Sequence, residues 1–121
     1  MTQERYDTLI DKLTNSTELG KIKWEQTSSK DEYQTKIGDN AISVGYFDPN
    51  NIANILASAT FSNNKNYYYL NIYNSKGVQV DTEERVANEA GYIKLRNLYQ
   101  AAKRKYNKVD ETLDEILDVL G

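Results

Sequence analysis

The spacing of apolar residues changes twice along the chain. At the start, Tyr6, Leu9, Ile10 and Leu13 recur at helical spacing and predict a helix over residues 2 to about 14. Thr2 can cap it, and Glu4 sits where the helix dipole favours an anion. The polar run Asn15 to Gly20 should end it.

From Lys21 the period becomes two. Lys21 to Glu25 alternates, with Ile22 and Trp24 on one face. Tyr33, Thr35 and Ile37 align next, and then Ile42, Val44 and Tyr46. Ser28 to Asp31 reads as a turn, Gly38-Asp39-Asn40 as a tight reversal that needs positive φ, and Asp48-Pro49-Asn50-Asn51 as a further turn. Residues 52–61 suit a strand through Ile55, Ala57, Ala59 and Phe61, although 52–59 also tolerates a helix. Asn63 to Asn66 leads into a strand over Tyr67 to Asn74, and Asn74-Ser75-Lys76-Gly77 turns into Val78-Gln79-Val80. Short polar turns leave no room for the crossovers that parallel pairing needs, so these five to six strands form an antiparallel meander.

From about Ala90 the helical period returns. Leu95, Leu98, Tyr99, Ala102 and Tyr106 share a face. After a break at Asn107 to Val109, Asp110 is placed to cap a last helix whose apolar set is Leu113, Ile116, Leu117 and Leu120. No repeat or linker divides the chain. The prediction for residues 1–121 is one α+β domain: an N-terminal helix, an antiparallel meander and two C-terminal helices packed on one sheet face.

Composition removes several chemistries. The 121 residues include no cysteine and no histidine, which excludes disulfides, thiolate nucleophiles, Ser-His or Cys-His catalysis and zinc sites built on those ligands. A carboxylate-only Mg²⁺ or Ca²⁺ site would need an acidic motif that the sequence does not show. No metal or cofactor is therefore expected, and no P-loop, GxGxxG, GxSxG or HExxH is found. The first residues carry charge too early for a secretory core, and no apolar run approaches the roughly 20 residues of a membrane span. A cytoplasmic, non-membrane protein is the expectation.

Three tyrosines in succession, Tyr67-Tyr68-Tyr69, cannot all face one core in an extended strand. Tyr68, Leu70 and Ile72 form the better core row. Tyr67, Tyr69 and Tyr73 then fall on the opposite face, either as cross-strand packing or as a binding face for a protein or stacked bases. Lys94, Arg96, Lys103, Arg104, Lys105 and Lys108 are the only charges between Gly91 and Val109. Within them Lys103, Arg104 and Lys105 are candidate phosphate contacts, although bases also favour a helix C-terminus, and the acids from Asp110 to Asp118 can offset them. Asp81, Glu83 and Glu84 precede the long helix, where acids are favoured anyway. They would act as general bases only given a cleft and a partner.

Three stretches occur in order: Lys21-Ile22-Lys23-Trp24-Glu25-Gln26-Thr27, Leu70-Asn71-Ile72-Tyr73-Asn74-Ser75-Lys76-Gly77, and Leu98-Tyr99-Gln100-Ala101-Ala102-Lys103-Arg104 followed by Val109-Asp110-Glu111-Thr112-Leu113-Asp114-Glu115-Ile116-Leu117. Together they resemble a loose set of small bacterial, archaeal and phage-borne proteins with no established function. The resemblance implies an α+β fold and a mobile-element setting, and it carries over no site residues.

These observations predict a non-enzymatic binding protein that holds a partner protein, or a second copy of itself, on Tyr67, Tyr69 and Tyr73. In a phage setting it would act on a host protein or capture a small nucleotide signal. The alternative is a single-stranded nucleic-acid-binding protein that stacks bases on the sheet tyrosines and contacts phosphates through Lys103, Arg104 and Lys105.

Overall fold

A computed structural model describes residues 1–49 and 65–121. Helix α1 spans Gln3–Glu18; strands β1 Glu25–Gln26, β2 Glu32–Ile37, β3 Asn40–Phe47, β4 Tyr67–Tyr73 and β5 Gln79–Arg85 follow; helices α2 Tyr92–Tyr106 and α3 Val109–Leu120 complete the chain. The strands make one antiparallel sheet in the order β1-β2-β3-β4-β5, so the α+β meander is observed. The strand or helix anticipated over 52–61 lies outside the described residues.

Helix α1 runs a turn further than its sequence suggests. Thr17 is fully buried, its hydroxyl donates to the Leu13 carbonyl at 2.7 Å, and Trp24 Nε1 donates to that hydroxyl at 3.0 Å. Tertiary burial therefore carries the helix through residues that look like a terminator. Thr2 does cap the start, its hydroxyl accepting from the Arg5 amide at 3.2 Å.

The first predicted strand is the main local correction. Only Glu25 and Gln26 pair with β2, although Ile22 and Trp24 both reach the core as their spacing implies. Thr35 accounts for part of this difference, because its hydroxyl donates to the Lys23 carbonyl at 2.6 Å where a ladder bond would otherwise form. The reversal between β2 and β3 is as tight as predicted. Ile37 pairs with Asn40, which leaves Gly38 at φ +63 to make the turn.

β5 extends further than the predicted Val78-Gln79-Val80 and takes in Asp81, Glu83 and Glu84, which local composition places on the approach to α2. Their alternation now decides their surroundings. Asp81 and Glu83 face the helices, opposite Ile72 and Leu70, whereas Glu84 faces the other way, opposite Tyr69. Strand pairing with β4 captured them, a non-local contact that local composition does not encode.

Helices α1 and α2 lie side by side on one sheet face. Their contacts advance together, with Tyr6 beside Gly91 and Asp11 beside Lys94. Between them and the sheet sit Tyr6, Ile10, Leu13, Trp24, Tyr33, Ile42, Val44, Leu70, Leu95, Leu98, Tyr99 and Ala102. Burial of this set supplies most of the stabilisation, at about 1.5–3 kcal/mol for each large apolar side chain.

Helix α3 behaves differently. It begins at Lys108, which takes a left-handed conformation at φ 53 and offers no side-chain cap. Asp110 is not the cap. It lies in the first turn and accepts from Arg104 at 2.7 Å. No residue of α3 is buried.

Candidate functional site

Placement of the ten tyrosines defines the candidate site. Seven face the helices. Tyr6 is buried beneath the α1–α2 contact and donates to the Gly91 carbonyl at 2.9 Å. Tyr33, Tyr46 and Tyr68 from the sheet meet Tyr92, Tyr99 and Tyr106 from α2 in one continuous cluster, with ring centroids 4.9–6.3 Å apart. The seven-residue spacing of Tyr92, Tyr99 and Tyr106 is the sequence signal for this stripe, although the predicted apolar face includes only Tyr99 and Tyr106. The remaining three tyrosines, Tyr67, Tyr69 and Tyr73, occupy the outer face, as their alternation with Tyr68, Leu70 and Ile72 implies.

On that outer face the register builds rows across the strands. Glu32 of β2 pairs with Gly45 of β3, Gly45 with Tyr69, and Tyr69 with Glu84 of β5. Gly45 leaves a gap that the Tyr69 ring fills, and a side chain at residue 45 would collide with it. Burial pushes the Tyr69 phenol well above its ordinary pKa, and the nearby Glu32 carboxylate adds to the shift. Tyr67 stacks on Phe47 with centroids 4.9 Å apart at 16°, and it meets Tyr69 edge-on at 6.2 Å. Its phenol is also raised, first by burial and then by Glu84.

The next row is polar and internally satisfied. Asn71 donates to Ser43 Oγ at 3.2 Å and accepts from the Thr82 hydroxyl at 2.7 Å. Together these residues line a shallow concavity of about 400 Å³ bounded by Glu32, Phe47, Tyr67, Tyr69, Asn71, Tyr73, Thr82 and Glu84. Its floor is aromatic and amide, and its two charges are both negative. Glu32, Phe47 and Thr82 are the members that the sequence did not single out, and Glu84 stands out there only as a conditional general base, because only strand register brings these residues beside the tyrosines.

The candidate phosphate contacts lie elsewhere. Lys103, Arg104 and Lys105 occupy the last turn of α2, on the helical side of the sheet. They line a separate cleft of about 650 Å³ with Glu18, Asn97, Gln100 and Asp110, and Arg104 is already engaged by Asp110. The sheet therefore stands between the tyrosine ladder and the basic cluster.

Asp81 and Glu83 are both engaged in ion pairs. Glu83 is bonded to Arg85 at 2.9 Å, and the Met1 amino group lies 3.3 Å from Asp81 and 3.4 Å from Glu83. Among the described residues no group of three acidic side chains could hold a metal, and no helix is long and apolar enough to cross a membrane. No protein-family model, curated protein or solved structure matches the chain.

Proposed function

We propose that this is a non-enzymatic binding protein whose outer sheet face receives a basic segment of a partner protein. The row Glu32–Gly45–Tyr69–Glu84 carries the reading: a tyrosine ring set between two carboxylates on an open concave surface. A guanidinium or ammonium group gains there from the ring face and from the carboxylates together. Tyr67 and Tyr73 extend the aromatic floor to either side.

The same charges weigh against anionic ligands on this face. A nucleotide or a nucleic-acid strand stacked on these rings would meet Glu32 and Glu84; Lys36 shares this face only at the Tyr73 end, and the candidate phosphate contacts Lys103, Arg104 and Lys105 are on the other side of the sheet. The resemblance to phage-borne proteins makes a host protein the natural partner under this reading.

The test is an NMR titration with arginine-rich, lysine-rich and acidic peptides. Basic peptides should shift resonances of Tyr67, Tyr69, Tyr73 and Glu84, and Glu84→Lys or Tyr67→Ala/Tyr73→Ala should abolish the effect with the fold retained. Tyr69 is left in place because it covers Gly45. Shifts confined to the helical side, or preference for the acidic peptide, would overturn the reading.

A further inference from the structure

Two features on the helical side have no use in the outer-face reading. One is α3. Its apolar residues Leu113, Ile116, Leu117 and Leu120 share one face yet are 46–76% exposed. Its charged residues are five acids and no base. The other is a groove of about 620 Å³ along the flank of α1, between that helix and the β4–β5 pair. Leu9, Ile72 and Val80 give it an apolar lining. Val80 is available because β5 bulges there: Gln79 pairs with Tyr73 and Asp81 with Ile72, and the residue between is left 58% exposed.

We infer that α3 of one copy of this chain seats in the α1–β5 groove of a second copy, reciprocally, giving a closed two-fold dimer. Charge decides against the simplest alternative, pairing of α3 with α3. That contact would bring together two helices that each carry five acids and no base, so their net charges repel. The groove instead carries Arg5 and Lys12 against the single acid Glu4 on its α1 side, and Asp81 at its edge is matched by the Met1 amino group, which leaves its lining net positive. Length also fits. The apolar set of α3 from Leu113 to Leu120 extends about 11 Å, close to the run of about 12 Å from Glu4 to Lys12 that α1 lends to the groove.

The occupant comes from another copy because α3 cannot reach its own groove. It follows α2 after Asn107 and Lys108 only, a linker of at most about 7 Å. The groove lies on the flank of α1 away from α2, about two helix spacings of 8–10 Å distant. Reciprocal exchange uses the contact twice and closes the assembly, so no open groove or free helix remains to propagate a chain.

Sedimentation equilibrium at micromolar concentration tests this, with circular dichroism as a check on folding. The wild type should be a dimer. Leu117→Glu and Val80→Glu, both at exposed positions, should each weaken association by about tenfold or more. Mixed together, the two variants should form a 1:1 complex, because one helix and one groove remain intact between them. A monomeric wild type, a Val80→Glu protein that still dimerises fully, or variants that fail to complement would each overturn the inference.

Discussion

Tyr69 covers Gly45. The two residues are directly opposed across β3 and β4, and the phenol ring occupies the space a Cβ at residue 45 would need. A glycine in a central strand normally weakens it, and a cross-strand aromatic ring restores the missing contact. Gly45→Ala is therefore expected to cost about 1–3 kcal/mol through overpacking. In a Tyr69→Ala background the same change should cost little or be favourable. Urea denaturation of the two single variants and the double variant measures this coupling, and additive costs would show that the ring does not depend on the glycine.

The Trp24–Thr17 hydrogen bond ties the segment before β1 to α1. Both side chains are buried, so Thr17→Val leaves the indole N–H without its acceptor while keeping the shape. The expected loss is about 1–3 kcal/mol. Trp24 is the only tryptophan, so its fluorescence reports both the unfolding transition and any wetting of the site.

Alkaline pH should destabilise the fold in a defined direction. Burial pushes the Tyr6 phenol up to about 12 from an ordinary 10; the nearby Arg85 opposes the shift and Glu83 adds to it. Below pH 10 both folded and unfolded chains keep this proton, so the phenol contributes its full stabilisation. As pH rises from 10 to about 12, the unfolded chain releases the proton and the folded chain retains it, and stability falls. Tyr69 and Tyr99, also raised mainly by burial, act in the same direction. Urea midpoints across this range should fall less steeply in Tyr6→Phe than in the wild type.

Arg85 organises the end of β5. It donates to Glu83 at 2.9 Å, to the Glu84 carbonyl at 2.9 Å and to the Ala90 carbonyl at 3.0 Å, and its guanidinium lies 4.3 Å from the Tyr6 ring centre. The Arg85 and Glu83 side chains are only 13% and 15% exposed. Arg85→Ala should cost about 3–5 kcal/mol by leaving a largely buried carboxylate with a weaker partner. Glu83→Gln should cost less, because both carbonyl acceptors of the arginine remain. Equal losses in the two variants would argue that the ion pair itself dominates.

The exposed pair Arg104–Asp110 provides a contrast. Its side chains are more than half exposed, so Asp110→Asn should change stability by no more than about 1 kcal/mol, and less at high salt. A larger loss in thermal denaturation would mean that the pair fixes the α2–α3 junction.

Periodicity together with turn residues determined the order of elements in the described residues, the reversal at Gly38 and the division of β4 into a core row and an outer tyrosine row. These are local properties: a side chain's face follows from its neighbours two, three or four positions away. Tertiary structure decided what depends on partners distant in sequence. It continued α1 through Thr17 because Trp24 bonds there. It reduced the first predicted strand to Glu25 and Gln26, and it drew Asp81, Glu83 and Glu84 into β5. It also put Phe47, Glu32 and Glu84 beside the tyrosine ladder and moved Lys103, Arg104 and Lys105 to the opposite side, since strand register and layer order arise only when separate segments compete for the same core. The amphipathic pattern of α3 was legible from its residues, but its exposure was not, because a pattern specifies which face is apolar and only packing decides whether anything covers it.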